Sequence, residues 1–142
     1  HVHGVMNEQF GAMLTGPMTP EAGLDMLGAS EADSAVLAAP GAQDRIMHML
    51  AIAFARGTTG LVQDIAGYTL QPWGFEPEDV TAKTLLLYGA KDPVAGSRHA
   101  TWWKRHLPDA RVEMVPNAGH LLVIPMWKRV LSHLAPGTGV AH

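Results

Sequence analysis

Two residues in the second half of the chain have the types and settings for acid–base chemistry. Asp92 lies in "YGAKDPV", just past an apolar run that ends in glycine, and His120 lies in "PNAGHLL", just past a second short apolar run. A carboxylate on one imidazole nitrogen fixes the ring's tautomer and stabilises the imidazolium, which leaves the other nitrogen free to take a proton and return it. Gly119 suits such a place, since glycine lets the backbone turn sharply and leaves the ring unobstructed. Each residue also has a plainer use. Asp92 before Pro93 can shape a turn, and His120 can be a loop histidine bonded to backbone. The remaining histidines do not share the setting: His48, His99, His106 and His133 fall within helical patterns and carry no assigned role. His1 and His3 make a terminus able to bind Cu(II) or Ni(II) in a square plane, read here as incidental. Cysteine is absent, which excludes thiolate nucleophiles and disulfides. No cofactor and no metal is assigned.

The elements that must position Asp92 and His120 can be read from periodicity. Residues 84–89, "TLLLYG", form a continuous apolar run expected of a strand buried on both faces of a parallel sheet. Residues 97–107 have helical spacing, with Trp103 and Leu107 four apart, and Pro108-Asp109 stops them. A short strand is expected at 111–115, and a closing helix at 125–134 whose Trp127, Val130, Leu131 and Leu134 share a face. Strand, helix, strand, helix implies a parallel crossover. In open α/β sheets the carboxyl end of the strands is where sites form, so adjacent strands would bring Asp92 and His120 together. Trp73 and Phe75 read as anchors for the start of the first strand, and adjacent Trp102 and Trp103 as pointing to different helix faces.

Before Pro72 the pattern is helical. Ile46, Met49, Leu50, Ala53 and Phe54 fall on one face, followed by Gly57 as a stop. Thr19-Pro20-Glu21 and Ser30-Glu31-Ala32-Asp33 read as helix starts, where a hydroxyl can accept from an exposed N–H and an acid complements the helix dipole. Gly16-Pro17 and Pro40-Gly41 break the run. Met6, Met13, Met18, Met26, Met47 and Met49 read as core filling.

At 142 residues and 47% hydrophobic, the chain is long enough for a real core, and 16% charged residues argue against disorder. The net charge is −3, with six acids against Arg45 alone up to Leu50; neither half is basic enough for a nucleic-acid or anionic-membrane surface. No apolar run approaches the roughly 20 residues of a membrane span. No signal-peptide pattern is present, so a cytoplasmic location is expected, and the start at His1 without methionine is read as that of part of something longer.

Between Trp73 and Leu134 the sequence resembles the α/β-hydrolase family. The resemblance is carried by "PWGFEPEDV" leading into "TLLLYGAKDPV", then "HLPDARVEMVPNAGHLL" and a terminal helix containing Trp127. In that family a late strand ends in a G-x-x-D loop supplying the triad acid, which corresponds to Asp92, and the next strand ends in a loop supplying the triad histidine, which corresponds to His120. The resemblance implies an α/β fold in which residues 72–142 are the carboxyl-terminal part of a hydrolase parallel sheet and residues 1–71 a helical cap inserted before it.

The family's nucleophile elbow, G-x-S-x-G, does not occur. Ser30, Ser34, Ser97 and Ser132 lie in no such turn, and Ser30 in "GASEA" and Ser97 in "AGSRH" read as helix caps. The oxyanion-hole loop is also missing. The implied function is that of part of a hydrolase acting on an ester or related acyl bond of a hydrophobic small molecule, with a Met-rich cap over the pocket. The implied partner is the missing amino-terminal half, on the same or a second chain, carrying the nucleophile. Two alternatives stand beside it: an inactive half that binds a hydrophobic ligand or a partner, and a dehalogenase or epoxide hydrolase with an aspartate nucleophile.

Overall fold

A computed structural model describes residues 19–137; His1, His3, Met6, Met13, Met18 and Gly16-Pro17 lie outside the described residues. Local signals build the helical segment. Thr19 caps α1 (Pro20–Met26), its Oγ1 accepting from the Ala22 amide at 3.2 Å, and Pro20 occupies the first turn, where its missing N–H would have no partner in any case. A 3-10 turn (Glu31–Asp33) leads into α2 (Ser34–Leu37). Gly41, at φ +69°, then reverses the chain into α3 (Ala42–Ala53), and α4 (Thr59–Leu70) follows.

The core sits where α3 meets the second half of the chain. Ile46 and Leu50 are buried against Leu121, with Leu24, Met26, Leu37, Met47 and Phe54 packed around them. Each large side chain sealed in this way contributes about 1.5–3 kcal/mol. Met26 and Met47 fill this core as the sequence suggests, whereas Met49 is half exposed and Ala53 is exposed. The buried face of α3 is narrower than expected for a geometric reason. Helix α1 contacts it through Gly23, where a Cβ would stand 2.9 Å from the Leu50 side chain, so a single stripe of Ala42, Ile46 and Leu50 is covered.

Downstream, β1 (Thr84–Gly89), α5 (Ser97–His106), β2 (Ala110–Val115) and α6 (Trp127–Leu134) follow in the expected order. The strands pair in parallel, from Thr84 opposite Ala110 to Gly89 opposite Val115. Helix α5 packs on both. Trp73 stacks on Trp103 at 5.6 Å, which anchors the approach to β1, and Trp102 meets Trp103 edge-on at 89°. The chain is thus a mixed α/β fold, with six α-helices and a two-stranded parallel sheet among the described residues.

One packing expectation and one helix boundary need correction. Leu85, Leu86 and Leu87 are half-buried rather than sealed on both faces, because among the described residues each strand has a neighbour on one edge only. The final helix begins at Trp127 rather than residue 125, after turns over residues 121–126, and its Trp127, Leu131 and Leu134 face outward at 54%, 45% and 70% exposure. What fastens α6 is polar. Arg129 grips Glu113 of β2 through Nε at 2.8 Å and a terminal nitrogen at 2.5 Å, and the His133 ring meets the Lys83 carbonyl at 3.2 Å. Among the described residues, no helix is long and apolar enough to cross a membrane.

Candidate active site

The parallel register puts the loops after β1 and β2 side by side. Gly89 ends β1 at a point where a Cβ would lie 2.5 Å from the Ala118 carbonyl, so only glycine lets the second loop rest on the strand end. The Ala90 and Lys91 amides then donate across the gap, to Val115 at 3.0 Å and Ala118 at 2.9 Å. These bonds lock one loop to the other just before Asp92.

Asp92 makes both of the contacts the sequence allowed. Its Oδ1 accepts from the Val94 and Ala95 amides at 2.8 and 3.1 Å, which shapes the turn. Its Oδ2 meets His120 Nδ1 at 2.9 Å. The carboxylate is 3% exposed and the imidazole 36%. Burial pushes the Asp92 carboxyl up, but the Ala95 amide, the His120 ring and the Val94 amide outweigh it and hold the group below its ordinary 3.8. A carboxylate only accepts, so Nδ1 carries the proton. Nε2 is left as the basic atom, and among the described residues no hydrogen bond occupies it.

A third residue, unassigned from sequence, completes the arrangement. Asp33 is fully buried (0% exposed), and its carboxylate joins the helical segment to the histidine loop. Oδ2 accepts from the Ser30 amide at 2.9 Å, the Ser30 hydroxyl at 3.2 Å and the His120 amide at 3.2 Å, while Oδ1 accepts from the Leu121 amide at 2.9 Å. The Ser30 contacts are the helix-start motif visible in the sequence. Nothing in the sequence pattern announces the other two, which span 87 and 88 residues.

The same contact explains Gly119, for a reason other than the expected sharp turn. The left-handed residue in this loop is Asn117, at φ +58°, a conformation that asparagine tolerates. Gly119 is required because a Cβ there would collide with the Asp33 carboxylate. Gly28 is a glycine that the sequence pattern does not single out. At φ +70°, its absent Cβ would stand 2.6 Å from Val94 and 3.4 Å from the His120 ring. The helical segment therefore approaches the dyad at two places.

Among the described residues, no hydroxyl is hydrogen-bonded to Nε2. The Ser30 hydroxyl is engaged by Asp33, and the Ser132 hydroxyl donates to the Arg129 carbonyl at 2.8 Å. Among the described residues, no three His, Asp or Glu side chains are grouped to hold a metal ion. A hollow of about 740 Å³ lies along Trp73, Phe75, Glu76 and Trp102 and shares no residue with the Asp92–His120 pair. The arrangement is that of an acid–histidine dyad at a strand-end edge. Comparison with known proteins adds no relative to it: no family model, curated protein or solved structure gives a significant match.

Proposed function

We propose that this chain supplies the acid and the base of an α/β-hydrolase-type active site, acting on an ester or related acyl bond of a hydrophobic small molecule. The observation that carries the reading is the Asp92–His120 bond at the carboxyl end of two parallel strands, with Nε2 left open. The resemblance of residues 73–134 to that family supports it.

In this reading His120 Nε2 takes the proton from a nucleophilic hydroxyl as that oxygen attacks the acyl carbon, and passes it to the departing alcohol. It then takes a proton from water, which attacks the acyl–enzyme ester, and returns it to the nucleophile's oxygen as the acid product leaves. Asp92 stays ionised and holds the ring throughout. The sequence holds no elbow serine, so the nucleophile comes from a further segment or a second chain. An aspartate nucleophile in that position would instead give the dehalogenase or epoxide-hydrolase variant.

A second reading rests on the outward-facing Trp127, Leu131 and Leu134: a catalytically silent module that uses this apolar face to bind a ligand or partner. Fluorophosphonate labelling of the purified material, resolved by denaturing gel and intact mass, separates the two. A label on a longer or co-purifying chain supports the hydrolase. Absence of label together with absence of turnover on acyl, halide and epoxide substrates removes it in favour of the binding module.

A further inference from the structure

The Asp92–His120 bond fixes one ring nitrogen, but a side-chain bond cannot by itself decide where the histidine backbone stands. The loop that carries His120 leaves β2 at Val115, turns through Asn117, and has no regular element until Trp127. Its His120 and Leu121 amides, at the crown of the turn, have the Asp33 carboxylate as their acceptor. A buried amide left without an acceptor costs about 1–3 kcal/mol, so two of them tie the loop to one carboxylate position.

We infer that Asp33 is a positioning residue for His120: its buried carboxylate sets the height and angle at which the imidazole meets Asp92, and it links that setting to the turn at Ser30–Asp33. This rests on the dyad being the functional site. A role confined to capping the 3-10 turn does not account for the geometry. Capping uses Oδ2 and Ser30 alone, whereas Oδ1 is spent wholly on Leu121, and Gly119 is kept free of a side chain so that the carboxylate can come close.

Both oxygens accept, so the requirement is for a carboxylate and not merely for its shape. In Asp33→Asn one oxygen becomes an NH2 group that faces N–H donors whichever way the amide is turned. The ring would then sit off its seat while Asp92 and the strands stay in place. Misplacement by about 1 Å can cost on the order of 100-fold in turnover, so kcat should fall by that factor with KM little changed.

The test is carried out on this chain with 15N-labelled histidine. The His120 Nδ1–H proton, bonded to Asp92, should give a downfield resonance in wild type, vanish in Asp92→Asn, and be lost or broadened in Asp33→Asn while β1, β2 and α5 amides keep their shifts. An unchanged resonance in folded Asp33→Asn overturns the inference. Persistence in Asp92→Asn, or absence in wild type, instead removes the dyad reading and the inference with it. Should Asp33→Asn fail to fold, amide exchange in wild type decides: His120 and Leu121 should exchange at least about 100-fold more slowly than unprotected peptide, as only locally closed structure allows. Exchange at open-loop rates overturns the inference.

Discussion

The strand-end edge and the flanks of the same sheet are finished to different degrees. At the edge, every oxygen of Asp33 and Asp92 has a donor, and Gly28, Gly89 and Gly119 are placed where a Cβ would clash. On the flanks, Leu85, Leu86 and Leu87 are half-covered and α6 turns its tryptophan and leucines outward. Polar geometry is directional and closes over a few ångströms, whereas an apolar face is closed only by whatever lies against it. The contrast teaches that the hydrogen bonding of the edge can be complete in a chain whose hydrophobic faces are only half-covered.

The sharpest way to break that contrast is to remove the His120 imidazole. In protein with measurable turnover, His120→Ala should lower kcat/KM by about 10⁴–10⁶-fold with the circular dichroism spectrum unchanged. Asp92→Asn should cost on the order of 10⁴-fold, because the ring loses its tautomer partner. Retention of most turnover in either variant would strip the edge of its special status.

A smaller effect is expected from Gly119→Ala. Forcing a methyl against the Asp33 carboxylate should destabilise the fold by about 1–3 kcal/mol, read from the midpoint of a urea titration. A midpoint unmoved from wild type would show that the edge is looser than its hydrogen bonds imply.

Acid should sharpen the comparison further. The Asp92 carboxyl is held below its unfolded value, so the stability it contributes is present above pH 3.8 and is lost as pH falls below that, through the folded value. Chemical denaturation between pH 5 and pH 2.5 (about the range that brackets this loss) should show a drop that is reduced in Asp92→Asn.

The smallest effect should fall on the flank. Leu131→Ser with Leu134→Ser should change the chain's own stability by less than about 0.5 kcal/mol per site, since both residues are exposed. A large loss would mean that something covers α6 in solution and that the flank is not open.

How far the site was legible depends on where its contacts fall in the sequence. Asp92 and His120 could be paired in advance because each follows directly on a strand, and the parallel crossover dictates that consecutive strand ends are neighbours. Asp33 could be seen only as a helix start, which it is; its bonds to His120 and Leu121 depend on how the helical segment docks, and no local period encodes that. Gly119 stands out in the sequence as a place for a sharp turn and an unobstructed ring, whereas Asn117 makes the left-handed turn and a Cβ at 119 would meet the Asp33 carboxylate. The apolar stripe of α6 was legible as a stripe, while the hydrophobic pattern that predicts a face carries no information about what occupies it.

The long span closed by Asp33 also bears on how the molecule assembles. The strand pair joins residues 26 apart and the Asp92–His120 bond residues 28 apart, whereas the Asp33 bonds join residues 87 and 88 apart. Loop closure grows costlier only slowly with length, by about 0.6 kcal/mol per doubling, yet contacts distant in sequence are gained late because intervening structure must form first. Refolding should therefore produce a paired strand–helix–strand unit before the helical segment clips onto the histidine turn, so that the Asp92–His120 pair reaches its final alignment in the last step of folding.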